Sequence, residues 1–331
     1  MIKINTFDLK SSVADSVKEV FTIMLSMEME PCTAELQTNL DGIKYVGAVS
    51  FAGEILGSIS IHLSDAFARL ITAGILGMDL DEVQDEEDVH DVIRELSNMI
   101  GGKLKSGFCD SGLPCDLSIP SITTGSNFKI EIPDMARHEH FAFCNQQHIA
   151  FVEVSVMMKE LIQTPVPIKS AVNQIDTFDL KKSVADSIKE VFDMMLSMEI
   201  EPCTAISRSS LDGIKHVGTV SFAGKVLGCI RIHVSNAFAR LITAGMLGMD
   251  LDEIQDEEDV HDVIRELSNM IGGKLKSNFC DSGLSCVLSI PSITTGSDFE
   301  INIPDMTRHE RFAFSHQENI AFVEVCIKLA D

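Results

Sequence analysis

The chain repeats itself. Shifted by 171 positions, residues 6–157 align with 177–328 without a gap, and 117 of these 152 positions are identical. Thr6-Phe7-Asp8-Leu9-Lys10 returns as Thr177-Phe178-Asp179-Leu180-Lys181, and Ala150-Phe151-Val152-Glu153-Val154 as Ala321-Phe322-Val323-Glu324-Val325. A repeat this long is a duplicated domain rather than a solenoid unit, and each copy is long enough to bury a core of its own. The expected organisation is copy 1 over residues 1–158, a linker over 159–176 and copy 2 over 177–331. Pro165 and Pro167 favour an extended path through the linker.

The copies do not diverge evenly. Glu35-Leu36-Gln37-Thr38-Asn39 becomes Ile206-Ser207-Arg208-Ser209-Ser210, and Cys144-Asn145-Gln146-Gln147-His148 becomes Ser315-His316-Gln317-Glu318-Asn319. Both stretches read as exposed strand ends or turns, where substitution is cheap. Gln84 to Ser106, by contrast, recurs unchanged as Gln255 to Ser277.

Within one copy, Val13, Val17, Val20/Phe21 and Met24/Leu25 recur every three or four residues. That spacing predicts an amphipathic helix from about Phe7 to Met27. Apolar runs on either side of Ala52-Gly53-Glu54 read as a β-hairpin. Ser64 is placed to cap a helix over Phe67, Leu70, Ile71 and Ile75. The acidic stretch Asp79 to Asp88 leads into a longer helix reaching about Phe108. Leu117-Ser-Ile-Pro-Ser-Ile reads as a strand broken at Pro120, and His140–Phe143 with Ile149–Val156 as a closing hairpin. The fold class expected for each copy is α+β, a mostly antiparallel sheet with helices packed against it.

Totals narrow the functions available. A formal net charge of −24 argues against nucleic acid and anionic membranes, because both need a basic face. No run of apolar residues is long enough to insert into a membrane, and the first residues lack the apolar core of a signal peptide. The nine cysteines form no tight CxxC pair, and several lie in apolar runs, as Cys229 does. That pattern suits reduced thiols in the cytoplasm.

The unchanged segment is the one with chemistry in it. On a helix over Asp88–Phe108, Val89, Val92/Ile93, Leu96, Met99/Ile100, Leu104 and Phe108 form the buried stripe. The far side collects Asp91, Glu95, Asn98, Gly102 and Lys105. Glu95 and Asn98 stand three apart, so a carboxylate and an amide are neighbours on a rigid element. The apolar stripe resumes at Leu104 and Phe108, so the helix is expected to continue through Gly101-Gly102. Each glycine there costs roughly 1 kcal/mol against alanine. Close approach by another backbone would explain glycine on this face.

At this point the sequence resembles the CheC/CheX/FliY phosphatases of bacterial chemotaxis, and CheX in particular. Their signature of Asp or Ser, Glu four residues on, Asn three later and Pro about two dozen beyond is met by Asp91, Glu95, Asn98 and Pro120. It is met again by Asp262, Glu266, Asn269 and Pro291. The Asn-Met-Ile-Gly-Gly and Leu-Ser-Ile-Pro-Ser-Ile-Thr-Thr-Gly contexts also look CheX-like. The resemblance implies hydrolysis of the aspartyl phosphate of a CheY-like receiver domain. It makes Glu95, Asn98, Glu266 and Asn269 the catalytic residues, with Asn orienting water and Glu pairing with the receiver's lysine. Asp91, Gly102, Asp262 and Gly273 would contact the partner. No intrinsic cofactor or metal is implied, since the receiver brings its own Mg²⁺. Because the family's one-motif members dimerise, the two copies would form a pseudo-dimer within one chain.

Other chemistries are thin. His62, His90, His138 and His140 accompany many carboxylates, but no HExxH occurs, and Asp79 to Asp85 lacks the glycine of a calcium loop. His62 alternates with Ile61 and Leu63, which puts it on the polar face of a strand. Cys109 and Cys115, with Cys280 and Cys286, have no histidine partner identifiable from sequence, and a packing role is expected for them. The alternative of another class is an adaptor that binds a receiver without hydrolysing its phosphate.

Overall fold

The computed structural model describes residues 4–34, 42–133, 135, 137–158, 175, 178–204, 214–304 and 306–330. The linker expected over 159–176, Ile175 apart, and the divergent stretches 35–39 and 206–210 lie outside the described residues. Two compact units result. One comprises Met1–Ser126, Asp134–Leu161 and Asp298–Asp305, the other Asn127–Pro133, Ile162–Ser297 and Met306–Asp331.

In copy 1 the elements run α1 (Leu9–Leu25), β1 (Glu30–Cys32), β2 (Ile43–Gly53), β3 (Ile55–Ser64), α2 (Asp65–Leu76), α3 (Glu86–Asp110), β4 (Cys115–Leu117), β5 (Ser121–Glu131), β6 (Arg137–Asn145) and β7 (His148–Met158). Strands are antiparallel neighbours in the order β1-β6-β7-β3-β2-β5, with β4 also on β2. This is the expected α+β class. Copy 2 repeats it as α4 (Leu180–Val191), β8 (Glu201–Cys203), β9 (Ile214–Gly224), β10 (Val226–Ser235), α5 (Asn236–Leu247), α6 (Glu257–Asp281), β11 (Cys286–Leu288), β12 (Ser292–Asn302), β13 (Arg308–His316) and β14 (Asn319–Leu329). No helix among the described residues is long and apolar enough to cross a membrane.

Local chemistry sets the boundaries. Asp8 caps α1 by accepting from the Ser11 N–H, and Ser26 in the left-handed region closes it. Val13, Val17, Val20 and Phe21 are buried as their spacing requires, whereas Met24 is exposed in the last turn. Ser64 accepts from the Phe67 N–H at the start of α2, the expected cap. The proline break also occurs. β4 and β5 both run beside β2, and between them Ser118 bonds both backbone groups of Ser50, through its own N–H and its hydroxyl. Pro120, with no N–H to give a ladder, sits in that gap.

The sheet's inner face meets α3 at two glycines. A Cβ built on Gly47 of β2 would lie 2.1 Å from Ser97 Oγ, and one on Gly101 would lie 2.5 Å from Val49 Cγ1. Gly218 and Gly272 repeat both contacts in copy 2. Helix and sheet therefore touch backbone to side chain, and α3 has one seat. Gly102, beside Gly101, has nothing among the described residues within 4 Å of its Cβ position. The pair should respond oppositely. Gly101→Ala overpacks, at about 1–3 kcal/mol, more than the roughly 1 kcal/mol of helix propensity gained. Gly102→Ala keeps the gain alone. Urea unfolding of the two single variants checks the signs.

The cysteines divide. Cys115, Cys229, Cys286 and Cys326 are buried, which fits packing, but Cys109 is exposed, so packing does not explain it. All nine are free thiols. Burial pushes the Cys115 thiol up to about 12, which keeps it protonated and inert.

Candidate functional site

Helix α3 is 25 residues long and runs without a break through both glycines. Asp85 caps it by accepting from the Glu87 N–H, and Glu86, Glu87 and Asp88 occupy the first turn, where negative charge suits the helix dipole. Val89, Val92, Ile93, Leu96, Ile100, Leu104 and Phe108 are buried, so one face is committed to the core.

The opposite face is available. Glu95 is exposed and Asn98 half-buried, one turn apart. Among the described residues neither side chain has a hydrogen-bond or ion-pair partner. Glu266 and Asn269 on α6 have the same exposure and are equally unengaged. Asp91 is exposed but not idle. It pairs with Arg94, whose guanidinium lies almost wholly inside and also holds Glu87 at 3.0 Å. Asp262, Arg265 and Glu258 repeat that triad in copy 2, with Glu258 at 3.2 Å. Gly102 and Gly273 are half-exposed on the same helices. Lys105 bonds Asp116 at 3.2 Å in copy 1, and copy 2 has Val287 where that aspartate stands.

A family profile described as chemotaxis phosphatase CheX matches residues 45–144 and again 216–316, well over half of the chain. The chain belongs to the CheX family. It is a tandem duplication of a CheX-like domain, and each match contains one complete Asp, Glu, Asn and Pro set. Among solved structures it is similar to the chemotaxis protein CheX of Vibrio vulnificus, at 24% identity over 46% of this chain and 97% of that one, with a TM-score of 0.40. It is also similar to CheX of Desulfovibrio desulfuricans, at 20% over 46% and 100%, with a TM-score of 0.39. A third similar structure is the CheX–CheY–BeF3–Mg²⁺ complex of Borrelia burgdorferi, at 20% over 46% and 99%, with a TM-score of 0.36. Comparison with curated proteins finds no match.

Sequence reasoning did not foresee what anchors the start of α3 in this CheX-like copy. Tyr45, the chain's one tyrosine, is fully buried. Its hydroxyl bonds Glu86 at 2.6 Å and Asp65 at 3.2 Å. Lys44 Nζ reaches the same two carboxylates at 3.1 and 2.9 Å, and Arg69 joins both. The network ties β2, α2 and α3 together. In copy 2, His216 and Asn236 replace Tyr45 and Asp65 and bond each other at 3.0 Å. The available signal was the substitution pair itself, two changes that make sense only if the residues touch.

Burial pushes the Tyr45 phenol up to about 12, and its bond to Glu86 adds to the rise. A raised pKa in the folded state stabilises below the unfolded value, near 10, and that stabilisation is lost as pH climbs through 12. Copy 1 should therefore lose up to about 3 kcal/mol across that window. The Tyr45→Phe chain should lack this loss while being about 1–2 kcal/mol less stable at neutral pH. Hydrogen exchange of α3 at both pH values checks it.

Proposed function

We propose that the chain is a phosphatase that hydrolyses the aspartyl phosphate of a CheY-like response-regulator receiver domain, once per copy. The observation that carries this reading is the Glu–Asn pair on α3 and again on α6, its glutamate exposed and its asparagine half-buried, without a partner among the described residues, and inside both segments that match the CheX family.

Phosphoryl transfer needs positioning and charge stabilisation more than covalent help. The receiver supplies the phosphate, its Mg²⁺ and a lysine. Asn98 and Asn269 orient the attacking water. A carboxamide donates and accepts at once, so it can hold water in line without titrating, as a glutamine does in small GTPases. Glu95 and Glu266 pair with the receiver's lysine and fix the docking. Helix α3 suits this work because its seat at Gly47 and Gly101 leaves little freedom to shift the pair. Asp91 and Asp262 hold Arg94 and Arg265 and lie at the edge of the docking face, and the open space at Gly102 and Gly273 admits the receiver closely. In this reading the chain works in the cytoplasm, and the two copies serve as the halves of a pseudo-dimer.

The test is the decay of a phosphorylated receiver with a substoichiometric amount of the full chain. Repeated turnover with release of inorganic phosphate supports hydrolysis. Binding without faster decay identifies an adaptor and rejects the enzyme. Gly102→Ala with Gly273→Ala should weaken receiver binding while leaving the fold at least as stable.

A further inference from the structure

On the face of the copy 1 sheet opposite the helices, three strands bring together groups far apart in sequence. In strand register His140 of β6 and Ser60 of β3 lie on either side of Glu153 of β7. Ile59, Ile61, Val152, Val154 and Phe143 point the other way, into the core. His138 Nε2 is 2.7 Å from Glu153 Oε1, and His62 Nε2 is 3.3 Å from Glu153 Oε2. The His138 and His140 rings stand 4.6 Å apart, centre to centre. One ligand atom from each of His138, His140 and Glu153 lies within 4.8 Å of the others.

The geometry points to a site for one divalent transition-metal ion of the zinc class, held by His138, His140 and Glu153 in copy 1 and absent from copy 2. Two imidazoles and a carboxylate are a three-ligand zinc set that leaves a position open. The distances are wider than a coordinated set, but side-chain rotation alone brings the atoms together, because all three project from adjacent strands on one face. Glu153 Oε2 already bonds His62, which in turn is 3.0 Å from Ser60 Oγ, so the carboxylate is oriented from behind as a ligand requires. Ser155, across from His138 on the same face, is buried with its hydroxyl unpartnered among the described residues. A metal-bound water would satisfy it.

Copy 2 supplies the contrast. Glu324, His233 and His309 keep the places of Glu153, His62 and His138, but Ser60 has become Arg231 and His140 has become Arg311. Both arginines bond Glu324 at 2.9 Å, one to each oxygen. Where copy 1 offers imidazole nitrogens that can ligate, copy 2 offers two guanidiniums that cannot. His309, Glu324 and Cys326 still lie close together. However, the carboxylate is already matched in charge, and two fixed cations repel a third. The replacement answers one need in two ways, because a largely buried carboxylate requires positive charge beside it.

The experiment is calorimetric titration of the reduced, metal-free full chain with Zn²⁺, for wild type, His140→Arg and the copy 2 double variant Arg231→Ser with Arg311→His. The double variant gives copy 2 the residues that copy 1 has at both positions, and His140→Arg places in copy 1 one of the two arginines of copy 2. Wild type should bind one equivalent more than His140→Arg, whose affinity at this site falls on the order of a hundredfold or more. The double variant should gain one equivalent. Should His140→Arg fail to fold by circular dichroism, His138→Gln replaces it with the same expected loss. Equal stoichiometry in wild type and a folded ligand variant overturns the proposal, and so does a bound equivalent that disappears only when exposed Cys109 is replaced.

Discussion

A chain carrying both Asn98→Ala and Asn269→Ala is expected to lose its acceleration of receiver dephosphorylation by about two orders of magnitude, the scale on which misplacing a reacting group is felt. The fold should survive. Among the described residues neither amide has a partner, both are at most half-buried, and alanine is the better helix former. Loss of rate without loss of helicity would separate a water-positioning role from a structural one. The single variants divide the work between copies. If both sites turn over, each lowers the rate by about half, because the site segments are identical in sequence. Glu95→Ala with Glu266→Ala should act differently, raising KM for the receiver more than it lowers kcat, since docking and water placement are separate tasks.

The second large effect lies behind the site. Phe108 ends the buried stripe of α3 and is fully enclosed, its ring 4.8 Å from Phe7 and 5.3 Å from Phe51, nearly perpendicular to the latter. Phe279 repeats this with Phe178 and Phe222 at 4.9 and 5.4 Å. Phe108→Ala removes one member of a three-ring cluster drawn from a helix, a strand and the segment before α1. Those elements cannot all collapse into the space. The cost should be about 3–5 kcal/mol, as for other buried aromatic deletions. Urea unfolding reads the total, and hydrogen exchange should locate the loss of protection in α1, β2 and α3 of copy 1. Neighbouring Cys109 is exposed, so Cys109→Ser should be nearly neutral.

How far the sequence reached follows from what kind of spacing carries each feature. The stripe Val89 to Phe108 and the cap at Ser64 are local signals, and both lie where periodicity put them. Pro120 marked the strand break for an equally local reason, its missing N–H. The Glu95 and Asn98 pair was legible because neighbours on a helix are three or four apart in sequence. The Tyr45 network was not, since Lys44, Asp65 and Glu86 come from three elements and meet only once β2, α2 and α3 are assembled. His62 was rightly assigned to the polar side of its strand. Its ion-pair partner was hidden, because Glu153 reaches it through the pairing of β3 with β7, which residue spacing does not encode. Met24 shows the converse. It keeps the helical period but lies in the last turn of α1, where little of copy 1 remains to cover it.

The central claim is that the Glu–Asn pair on each site helix hydrolyses a receiver's aspartyl phosphate. Its most direct test is release of inorganic phosphate from a phosphorylated CheY-like receiver with Mg²⁺, comparing buffer, the native chain and the Asn98→Ala/Asn269→Ala chain. The account predicts fast, multiple-turnover release with the native chain and release close to the receiver's own rate with the variant. Equal release by native and variant chains, or no acceleration by the native chain on any receiver it binds, would contradict it.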